Sequence, residues 1–451
     1  MKIIVIGCGK IGKTIIEHVS KEGHSLVIVD NNREKVEELI ERYDVMGVVG
    51  NGASLDIQEE AGVKSADLVI AVTPEDEINI LASMVAKKLG ASSTIARVRN
   101  PEYLRQTKLM QEELGLSMVV NPEQETADEI INMVNLPSLL KLEPFAKGKV
   151  NLVEILVEEN NPLIGETLIT MSKKIKTKVL ICAIQRASHV IIPNGNFKIE
   201  QGDRLSITAN ASSLVTFLKE LNLIKSPLKN IMIIGGGKIS YYLAKELSNK
   251  KYHIKLIEMN KNRAEEMAEA LPKVDVICGD GTDHDLLIEE GIEASDACIA
   301  LTNVDEENII VSMYATRLKI KKVIAKIKRN SFLTMVNDLG IASIVSPKDI
   351  VASKIISYIR ALSNKRGSNV LTLYKLVNNQ VEALEFDAKK KEKFYNKPLK
   401  DLNIKENFLI ACIIRDGNVL IPSGNDCIQL NDRVLVVTTH QQFDDLMDAF
   451  E

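Results

Sequence analysis

The sequence lacks the patterns of a metal, disulfide or nucleophilic site. Its 451 residues contain no C-x-x-C pair, no metal-ligand spacing and no nucleophile elbow. Several cysteines stand in apolar strand-like runs, so we expect small buried side chains in a reducing compartment. The six are Cys8, Cys182, Cys278, Cys298, Cys412 and Cys427.

Signatures of secretion, membrane insertion and nucleic-acid binding are also missing. The chain opens on a strand-like run instead of a signal peptide, and no apolar run approaches the ~18 residues of a spanning helix. The formal net charge is −4, and the lysine cluster at 389–393 is short and contains Glu392. We therefore expect a cytoplasmic protein with no nucleic-acid partner.

An internal repeat organises the chain. Gly7-Cys8-Gly9-Lys10-Ile11 returns as Gly235-Gly236-Gly237-Lys238-Ile239, 228 residues later (235 minus 7). Gly50-Asn51-Gly52 then matches Gly279-Asp280-Gly281 at a spacing of 229 (279 minus 50). Residues 193–196 and 422–425 also match, which indicates that a second, smaller module was duplicated with the first.

The repeat predicts an α/β fold. In the first copy, apolar runs at 2–6, 25–30, 45–49, 67–72 and 94–98 alternate with amphipathic stretches, as in a doubly wound parallel sheet. In the smaller module, Asp416-Gly417 between apolar runs predicts a hairpin. We expect Rossmann-like domains over 1–136 and 228–363, each followed by a small α+β domain, over 137–225 and 364–451.

A helix over 123–135 is predicted to lead from the first Rossmann-like domain into the small one, because it is bounded by prolines. Its apolar positions pack either on its own sheet or on a neighbouring subunit. These positions are Ile130, Ile131, Met133 and Val134.

The first glycine motif predicts a dinucleotide site. Gly7-Cys8-Gly9-Lys10-Ile11-Gly12 fits G-x-G-x-x-G between a predicted strand and a predicted helix, and Asp30 ends the next strand. Gly7 permits the tight turn, Gly9 lets a phosphate approach the backbone, and Gly12 lets helix and strand pack closely. Asp30 is expected to bind the ribose hydroxyls and to favour NAD(H) or an adenine nucleotide over NADP. A glycine turn retained without a ligand is the alternative.

The second glycine motif is weaker. Gly235 and Gly237 are kept with Lys238 and Ile239, but Ser240 replaces the third glycine and Glu258 takes the place of Asp30. The second copy is therefore predicted either to bind a ligand or to serve only as a structural partner of the first.

Three further stretches recur near the predicted strand ends, where ligands bind on this fold. Asn51 with Gly52, and Asp280, are candidates for the adenine-ribose end. Thr73, Asp76 and Asn79, with Thr302, Asp305 and Asn308, follow strand four and bind ligand or cap the next helix. Arg97 and Arg99 offer a charged fork to phosphate, which Lys326 and Lys328 replace in the second copy.

No residue set for catalysis accompanies the cofactor motif. A dehydrogenase requires a proton-transferring His or Lys beside the nicotinamide, and none of the scattered histidines recurs in both copies. We therefore expect a nucleotide sensor that is not an enzyme. An NAD-dependent oxidoreductase and a gating subunit of a cation antiporter are the alternatives.

Across nearly its whole length, the chain resembles the TrkA family of potassium-uptake regulators, built from tandem RCK (KTN) domains. The resemblance rests on Gly7 to Gly12, Asp30, Gly50-Asn51-Gly52, residues 73–79 and residues 96–99. It implies a peripheral subunit on the inner face of the cell membrane, assembled as a ring beneath a potassium-translocating partner of the TrkH or TrkG type. It also implies binding of NAD(H) or ATP/ADP, with Arg97 at a phosphate-contacting position.

Overall fold

A computed structural model describes most of the chain in two compact units. Unit 1 comprises Met1–Ile131 and Lys229–Ile359, and unit 2 comprises Asn132–Leu228 and Arg360–Glu451. The described residues are 1–135, 139–145, 150–187, 189–221, 228–250, 252–329, 331, 332, 336, 339, 341, 343–364, 370–376, 381–389, 392, 394–439 and 445–450. Each Rossmann-like repeat thus lies in unit 1 and each small module in unit 2, while the four domain boundaries stay a prediction.

The first repeat of unit 1 is a six-stranded parallel sheet in the order β3-β2-β1-β4-β5-β6. Its strands are β1 Lys2–Ile6, β2 Ser25–Asp30, β3 Met46–Val49, β4 Leu68–Ala71, β5 Ser93–Arg97 and β6 Met118–Val120. Its helices are α1 Lys10–Val19, α2 Arg33–Arg42, α3 Leu55–Glu60, α4 Asp76–Leu89, α5 Pro101–Leu104, α6 Thr107–Glu112 and α7 Pro122–Asn135. The central strands are apolar on both faces because helices cover both sides of the sheet.

The small module that follows is a five-stranded antiparallel sheet in the order β10-β9-β11-β8-β7. Its elements are β7 Leu139–Phe145, β8 Val150–Leu156, α8 Leu168–Lys174, β9 Leu180–Arg186, β10 His189–Ile191, β11 Arg204–Ala209 and α9 Ala211–Glu220.

The second Rossmann-like repeat has the same sheet order, β14-β13-β12-β15-β16-β17. Its strands are β12 Asn230–Ile234, β13 His253–Glu258, β14 Asp275–Cys278, β15 Ala297–Ala300, β16 Lys322–Lys326 and β17 Ser343–Val345. Helices include α10 Lys238–Leu247, α11 Lys261–Ala270, α12 His284–Glu289, α13 Asp305–Arg317 and α14 Pro347–Asn364.

The second small module repeats the antiparallel sheet as β18-β19-β22-β20-β21. The strands are β18 Val370–Leu376, β19 Val381–Asp387, β20 Phe408–Arg415, β21 Asn418–Leu420 and β22 Arg433–Thr438. The predicted hairpin is confirmed: β20 and β21 pair across Asp416 and Gly417, which have φ of 50° and 78°. Two consecutive positive φ values match the type I′ turn that Asp-Gly favours.

Within unit 2, the two small modules share one core. Leu152, Cys182 and Ala183 of the first sheet form a single buried cluster with Ala383 and Cys412 of the second. Small side chains let the two sheets approach closely, so the duplicated modules pack as one body.

One expectation about buried residues needs correction, and one pair of alternatives is decided. Four cysteines are buried, but Cys278 is exposed at the end of β14 and Cys427 is half-buried. The four apolar positions of α7 are all buried within the chain itself, so they offer no free face to a neighbouring subunit. Across the described residues, no helix has the length and apolarity needed to cross a bilayer.

Candidate functional site

Two glycines of the first glycine turn, Gly7 and Gly12, are required sterically, whereas the third, Gly9, borders open space. Gly7 has a φ of 102°, and a Cβ there would lie 2.8 Å from the Thr73 nitrogen. A Cβ on Gly12 would lie 2.0 Å from the Gly7 carbonyl oxygen, so any side chain would push α1 away from β1. A Cβ on Gly9, in contrast, would meet nothing within 4 Å. The space above Gly9 is open at the start of α1.

Asp30 anchors this turn from the end of β2. One carboxylate oxygen accepts from the Cys8 amide at 2.7 Å and the other accepts from the Asn32 amide at 2.9 Å. Because each oxygen has a second acceptor direction, Asp30 can still receive hydroxyl donors. The Cys8 amide is already engaged, so it is not among the groups left for an anion. Burial, followed by the nearby Asp30 charge, raises the pKa of the Cys8 thiol to about 12.

The start of α1 suits an anionic ligand. Gly9 is the N-cap residue of this helix and supplies no side-chain cap, so the first amides of the helix point into the open space. Arg97 adds a buried Nε that has no hydrogen-bond partner. The open space at Gly9, called the phosphate cradle below, the uncapped first turn of α1 and the positive charge of Arg97 fit a nucleotide phosphate.

The residues after β3 form a loop beside Asp30. The Asn51 side chain accepts from the Ala53 amide at 3.0 Å and is exposed. A Cβ on Gly52 would lie 2.1 Å from a side-chain methyl of Ile6, so glycine is required for this close approach.

Two buried side chains that follow β4 hold the backbone at the ends of β4 and β5. Asn79 is fully buried and binds the Thr73 amide at 2.7 Å, the Thr73 carbonyl at 3.0 Å and the Arg97 carbonyl at 2.9 Å. Asp76 is buried, and one of its oxygens accepts from the amides of Arg99 and Asn100. Asn308 and Asp305 repeat both arrangements.

The capping alternative is confirmed for Asp76, which lies in the first turn of α4, but is wrong for Thr73, because Glu75 is the N-cap residue and makes no side-chain cap. Thr73 instead donates its hydroxyl to Asn79 at 2.8 Å. Asn79 and Asn308 hold the strand ends together and are too deeply buried to face a ligand.

The two predicted arginines have different surroundings. The Arg99 Nε donates to Glu123 at 2.6 Å, and a second nitrogen pairs with the same carboxylate. Burial opposes the charge of Arg99, but the Glu123 bond outweighs it and raises the Arg99 pKa. Arg97 makes one bond, from Nη2 to the Pro74 carbonyl at 3.2 Å, and burial and Arg99 lower its pKa. Of the two, Arg97 has the greater capacity for a phosphate.

The second glycine turn is fully formed. Glu258 accepts from the amides of Gly236 and Asn260, as Asp30 does from Cys8 and Asn32. Ser240 is buried, and its hydroxyl donates to the Gly235 carbonyl. The Ser240 hydroxyl thus binds the Gly235 carbonyl, which is the equivalent of the Gly7 carbonyl that Gly12 approaches in the first repeat. Gly237, like Gly9, would place a Cβ in open space.

The second repeat carries lysines where the first has arginines. Lys326 is buried and its Nζ donates to the Leu301 carbonyl at 2.8 Å. Burial and the Lys328 charge lower its pKa to about 8. Lys328 Nζ donates to the Asn303 carbonyl at 2.7 Å. Asp280 accepts from the amide and hydroxyl of Thr282, and these bonds lower the pKa of its carboxyl.

A cavity of about 1070 Å³ within unit 1 joins the two repeats. Each glycine turn lines it together with the basic residues that end β5 and β16. From the predicted set, the lining includes Gly9, Lys10, Ile11, Arg97, Arg99, Gly235, Gly237, Lys238, Ile239, Glu258 and Asp280. The members of the set that lie outside the lining are Gly7, Cys8, Gly12, Asp30, Asn51, Gly52, Thr73 and Asp76. The cavity therefore includes the whole second cleft and only the phosphate end of the first.

Comparison with protein families identifies both modules. The TrkA-N domain model matches residues 3–122 and 231–347, and the TrkA-C domain model matches residues 152–222 and 384–451. This chain belongs to the TrkA family.

Named TrkA relatives match over their whole length. The Trk system potassium uptake protein TrkA of Vibrio alginolyticus is 33% identical, over 98% of this chain and 97% of the relative. A TrkA homolog of Archaeoglobus fulgidus is 29% identical over 100% of both chains. The tandem arrangement is thus shared with potassium-uptake proteins of bacteria and archaea.

Solved structures share the TrkA-type fold. The GsuK channel bound to NAD has a TM-score of 0.64 at 18% identity, over 97% of this chain and 76% of that one. The GsuK channel bound to ADP has a TM-score of 0.51 at 16% identity, over 81% of this chain and 69% of that one. At these identities the likeness concerns the fold.

Three residues that line the cavity of this TrkA-family chain were missed from sequence: Glu123, Arg263 and Lys348. Glu123 pairs with Arg99, and the Arg263 Nε donates to the Gly236 carbonyl at 2.8 Å. Pro122-Glu123 and Pro347-Lys348 open α7 and α14, so a comparison of the repeats at a spacing of 225 (347 minus 122) would have found the exchange of Glu123 for Lys348.

Proposed function

We propose that this chain is a regulatory subunit of a potassium-uptake system that senses NAD(H), ATP or ADP. In this proposal it works from the cytoplasmic side and gates a membrane protein of the TrkH or TrkG type. Family membership supports the potassium system, and the open phosphate cradle at Gly9, beside Asp30 and Arg97, is the observation that carries the sensing role.

The proposed ligand uses three groups of the first repeat. The amides at the start of α1 bind phosphate, Asp30 accepts the ribose hydroxyls, and Arg97 supplies charge to the phosphates. The carboxylate of Asp30 disfavours a 2′-phosphate on the ribose.

Regulation follows from differential affinity between two conformations of the assembly. A ligand that prefers one conformation by about 100-fold contributes about 2.7 kcal/mol per site toward it. A ligand with equal affinity for both shifts nothing, however tightly it binds. Several sites in one assembly therefore add their contributions.

We infer assembly into a homo-oligomeric ring as part of this function. Leu81 on α4 and Ile310 on α13 occupy equivalent positions of the two repeats, and both are exposed, by 48% and 60%. Single exposed apolar side chains are ordinary on protein surfaces, but the recurrence of this one on the same helix of both copies makes it our candidate for the association surface. Sedimentation of the Leu81→Glu and Ile310→Glu variants tests this. If the ring forms through these side chains, the variants should sediment as smaller species than the wild type, and an unchanged sedimentation coefficient contradicts the inference.

Substitution of Gly9 tests the sensing role without disturbing the fold. Gly9 has φ of −73° and ψ of −169°, which any residue adopts, and an aspartate there caps α1. We expect Gly9→Asp to change the free energy of unfolding by less than about 0.5 kcal/mol. The carboxylate should nevertheless exclude phosphate from the cradle, so calorimetric titration with NADH and ADP should lose the first-repeat site.

Two controls accompany the calorimetric titration. Gly237→Asp makes the matched change in the second repeat, because Gly237 has φ of −69° and the same open space. A screen for sustained NADH oxidation with small substrates tests the oxidoreductase alternative. If Gly9→Asp binds every nucleotide as the wild type does, or if sustained turnover is found, the sensing proposal is wrong.

A further inference from the structure

The first small module of unit 2 contains a cavity of its own, in a different unit from the glycine turns. The cavity has a volume of about 440 Å³ and lies where α8 and the end of α9 meet the loop that precedes α8. Its apolar wall is formed by Leu163, Met171, Ile175 and Leu221. A cavity of this size can hold a small organic molecule.

The loop beside the cavity has a clear counterpart in the second small module. Gly165 and Asn396 have positive φ values of 83° and 61°, and the amide of each donates to an isoleucine carbonyl ahead of the last strand of its module. The two loops therefore correspond at a spacing of 231 (396 minus 165). At this spacing, Phe394 is the counterpart of Leu163.

The end of the chain fills the corresponding place in the second module. The last strands of the two modules start 229 residues apart (433 minus 204), which makes Phe450 and Ile404 the counterparts of Leu221 and Ile175. Phe450 forms an isolated antiparallel bridge with Ile404, and its ring stacks on Phe394 with the ring centroids 4.3 Å apart. The duplicated fold thus holds a benzyl side chain at this place.

Backbone conformation and side-chain size keep the first cavity open. Leu221 directly follows α9, and its amide donates to the Phe217 carbonyl, so the chain still follows the helix there. Phe450 instead has an extended backbone, with φ of −114° and ψ of 153°, after a short 3₁₀ turn. Leu163 also lacks the ring that Phe394 supplies. The apolar wall of the first cavity is therefore left without the aromatic cover found in the second module.

The rim of the cavity offers one charge of each sign to a ligand. Glu166 and Lys174 line the rim and pair with each other at 2.5 Å. Glu220 accepts one bond, from the Thr177 amide at 3.4 Å. Among the residues that the structure describes, no carboxylate lies within ion-pair distance of the Lys176 ammonium, which also lines the rim. A ligand with both an anionic and a cationic group therefore finds a partner for each.

We propose that this cavity binds an α-amino acid with a large apolar side chain, of the phenylalanine type. The α-carboxylate pairs with Lys176, the α-ammonium pairs with Glu220, and the side chain covers the apolar wall. The position of Phe450 in the second module indicates the class of side chain, and the two rim charges indicate a zwitterion. No nucleotide takes part, so this inference is independent of the proposed nucleotide-sensing function.

Calorimetry on the full chain with a series of ligands tests the proposed chemistry. We expect one L-phenylalanine to bind per chain. Both 3-phenylpropionate, which lacks the ammonium group, and 2-phenylethylamine, which lacks the carboxylate, should bind at least about threefold more weakly. Glycine, which lacks the side chain, should bind at least about tenfold more weakly, because no apolar surface is buried.

Substitutions at the exposed rim test the two charges without disturbing the core. Lys176→Gln and Glu220→Gln should each weaken L-phenylalanine binding by about threefold or more. Lys173→Gln is the matched control, because Lys173 is an exposed lysine of α8 outside the lining, and it should bind as the wild type does. Leu163→Phe introduces the residue type of the second module and should weaken binding by about tenfold or more, because its ring occupies the cavity.

Four results would overturn the inference. They are a wild type that does not bind L-phenylalanine, 3-phenylpropionate that binds as tightly as L-phenylalanine, an affinity that changes no more in Lys176→Gln or Glu220→Gln than in Lys173→Gln, and wild-type affinity in Leu163→Phe. ADP titration of the same samples keeps the two proposals apart. Absence of ADP binding to the wild type contradicts the sensing function, whereas L-phenylalanine binding tests only this cavity.

Discussion

Arg97 and Arg99 are two residues apart in the chain, but their side chains have different hydrogen-bond partners. Arg99 is tied to Glu123, whose side chain is 12% exposed. Arg97 has one long bond to a carbonyl and a buried Nε without a partner. Removal of Arg99 would leave the nearly buried Glu123 carboxylate without its partner, whereas Arg97 has no carboxylate partner to lose.

Substitution separates the two roles. We expect Arg97→Met to weaken ADP and NADH binding to the first repeat by about 10- to 100-fold, because a charge-assisted bond to phosphate is lost. Arg99→Met should instead lower the free energy of unfolding by about 1–2 kcal/mol, because Glu123 loses its partner in a poorly hydrated position. Calorimetry in Gly237→Asp and chemical denaturation measure the two effects, and the reverse pattern would contradict the assignment.

Thiol reactivity tests the burial of individual cysteines. Cys8, Cys182, Cys298 and Cys412 are buried, and burial is the largest cause that raises each thiol pKa to about 12. Brief alkylation of the native protein at pH 8 should modify Cys278 first and leave these four unmodified. Peptide mass spectrometry, with and without denaturant, measures the modified fraction of each cysteine. Rapid native labelling of Cys8 would be incompatible with the packing of the first turn.

At the scale of elements, a buried asparagine in each repeat joins three pieces of structure. Asn79 binds the end of β4 through Thr73 and the end of β5 through the Arg97 carbonyl, while its own backbone lies in α4. Asn308 does the same in the second repeat. These bonds hold the strand ends that carry the basic residues of the cavity.

Removal of this side chain should cost stability. Asn79→Ala leaves the Thr73 amide and the Arg97 carbonyl without their partner, so we expect a loss of about 2–3 kcal/mol in the free energy of unfolding. Asn51→Ala is the control, because Asn51 is exposed and makes one local turn bond, and it should cost less than about 1 kcal/mol. Equal melting temperatures for the two variants would rule out the bridging role.

Local patterns in the sequence predict local structure well here. The glycine turn, the strands Lys2–Ile6 and Ser25–Asp30, and the Asp416-Gly417 hairpin all follow from neighbouring residues and are confirmed. The sixth strand, Met118–Val120, was missed because three residues are too short to show a periodicity. The exposure of Cys278 was also missed, since it depends on the position of β14 at the edge of its sheet.

The pairing of Arg99 with Glu123 required the fold, because the two residues are 24 apart in sequence. The exchange of Glu123 for Lys348 was hidden by a change in repeat spacing from 229 to 225 before α14. The site residues of the first repeat stay a prediction until a ligand is measured. The structure shows which side chains are already hydrogen-bonded or ion-paired within the chain, and a sequence motif does not contain that information.

At the scale of the molecule, the duplication places the two glycine turns on one cavity. Each glycine turn lines the cavity with the basic residues of both repeats. In the proposed function, a nucleotide bound at either turn would act on the contact between the repeats, and this would couple the two turns to each other.

Potassium flux into vesicles that contain the membrane partner tests the central claim most directly. With the wild-type chain present, the potassium flux should change when NADH, ADP or ATP is added. Different nucleotides should give different fluxes. The double variant Gly9→Asp/Gly237→Asp should still bind the membrane partner, because both substitutions fit the backbone, but its flux should not respond to nucleotide. A nucleotide response that persists in the double variant, or is absent from the wild type, contradicts the account.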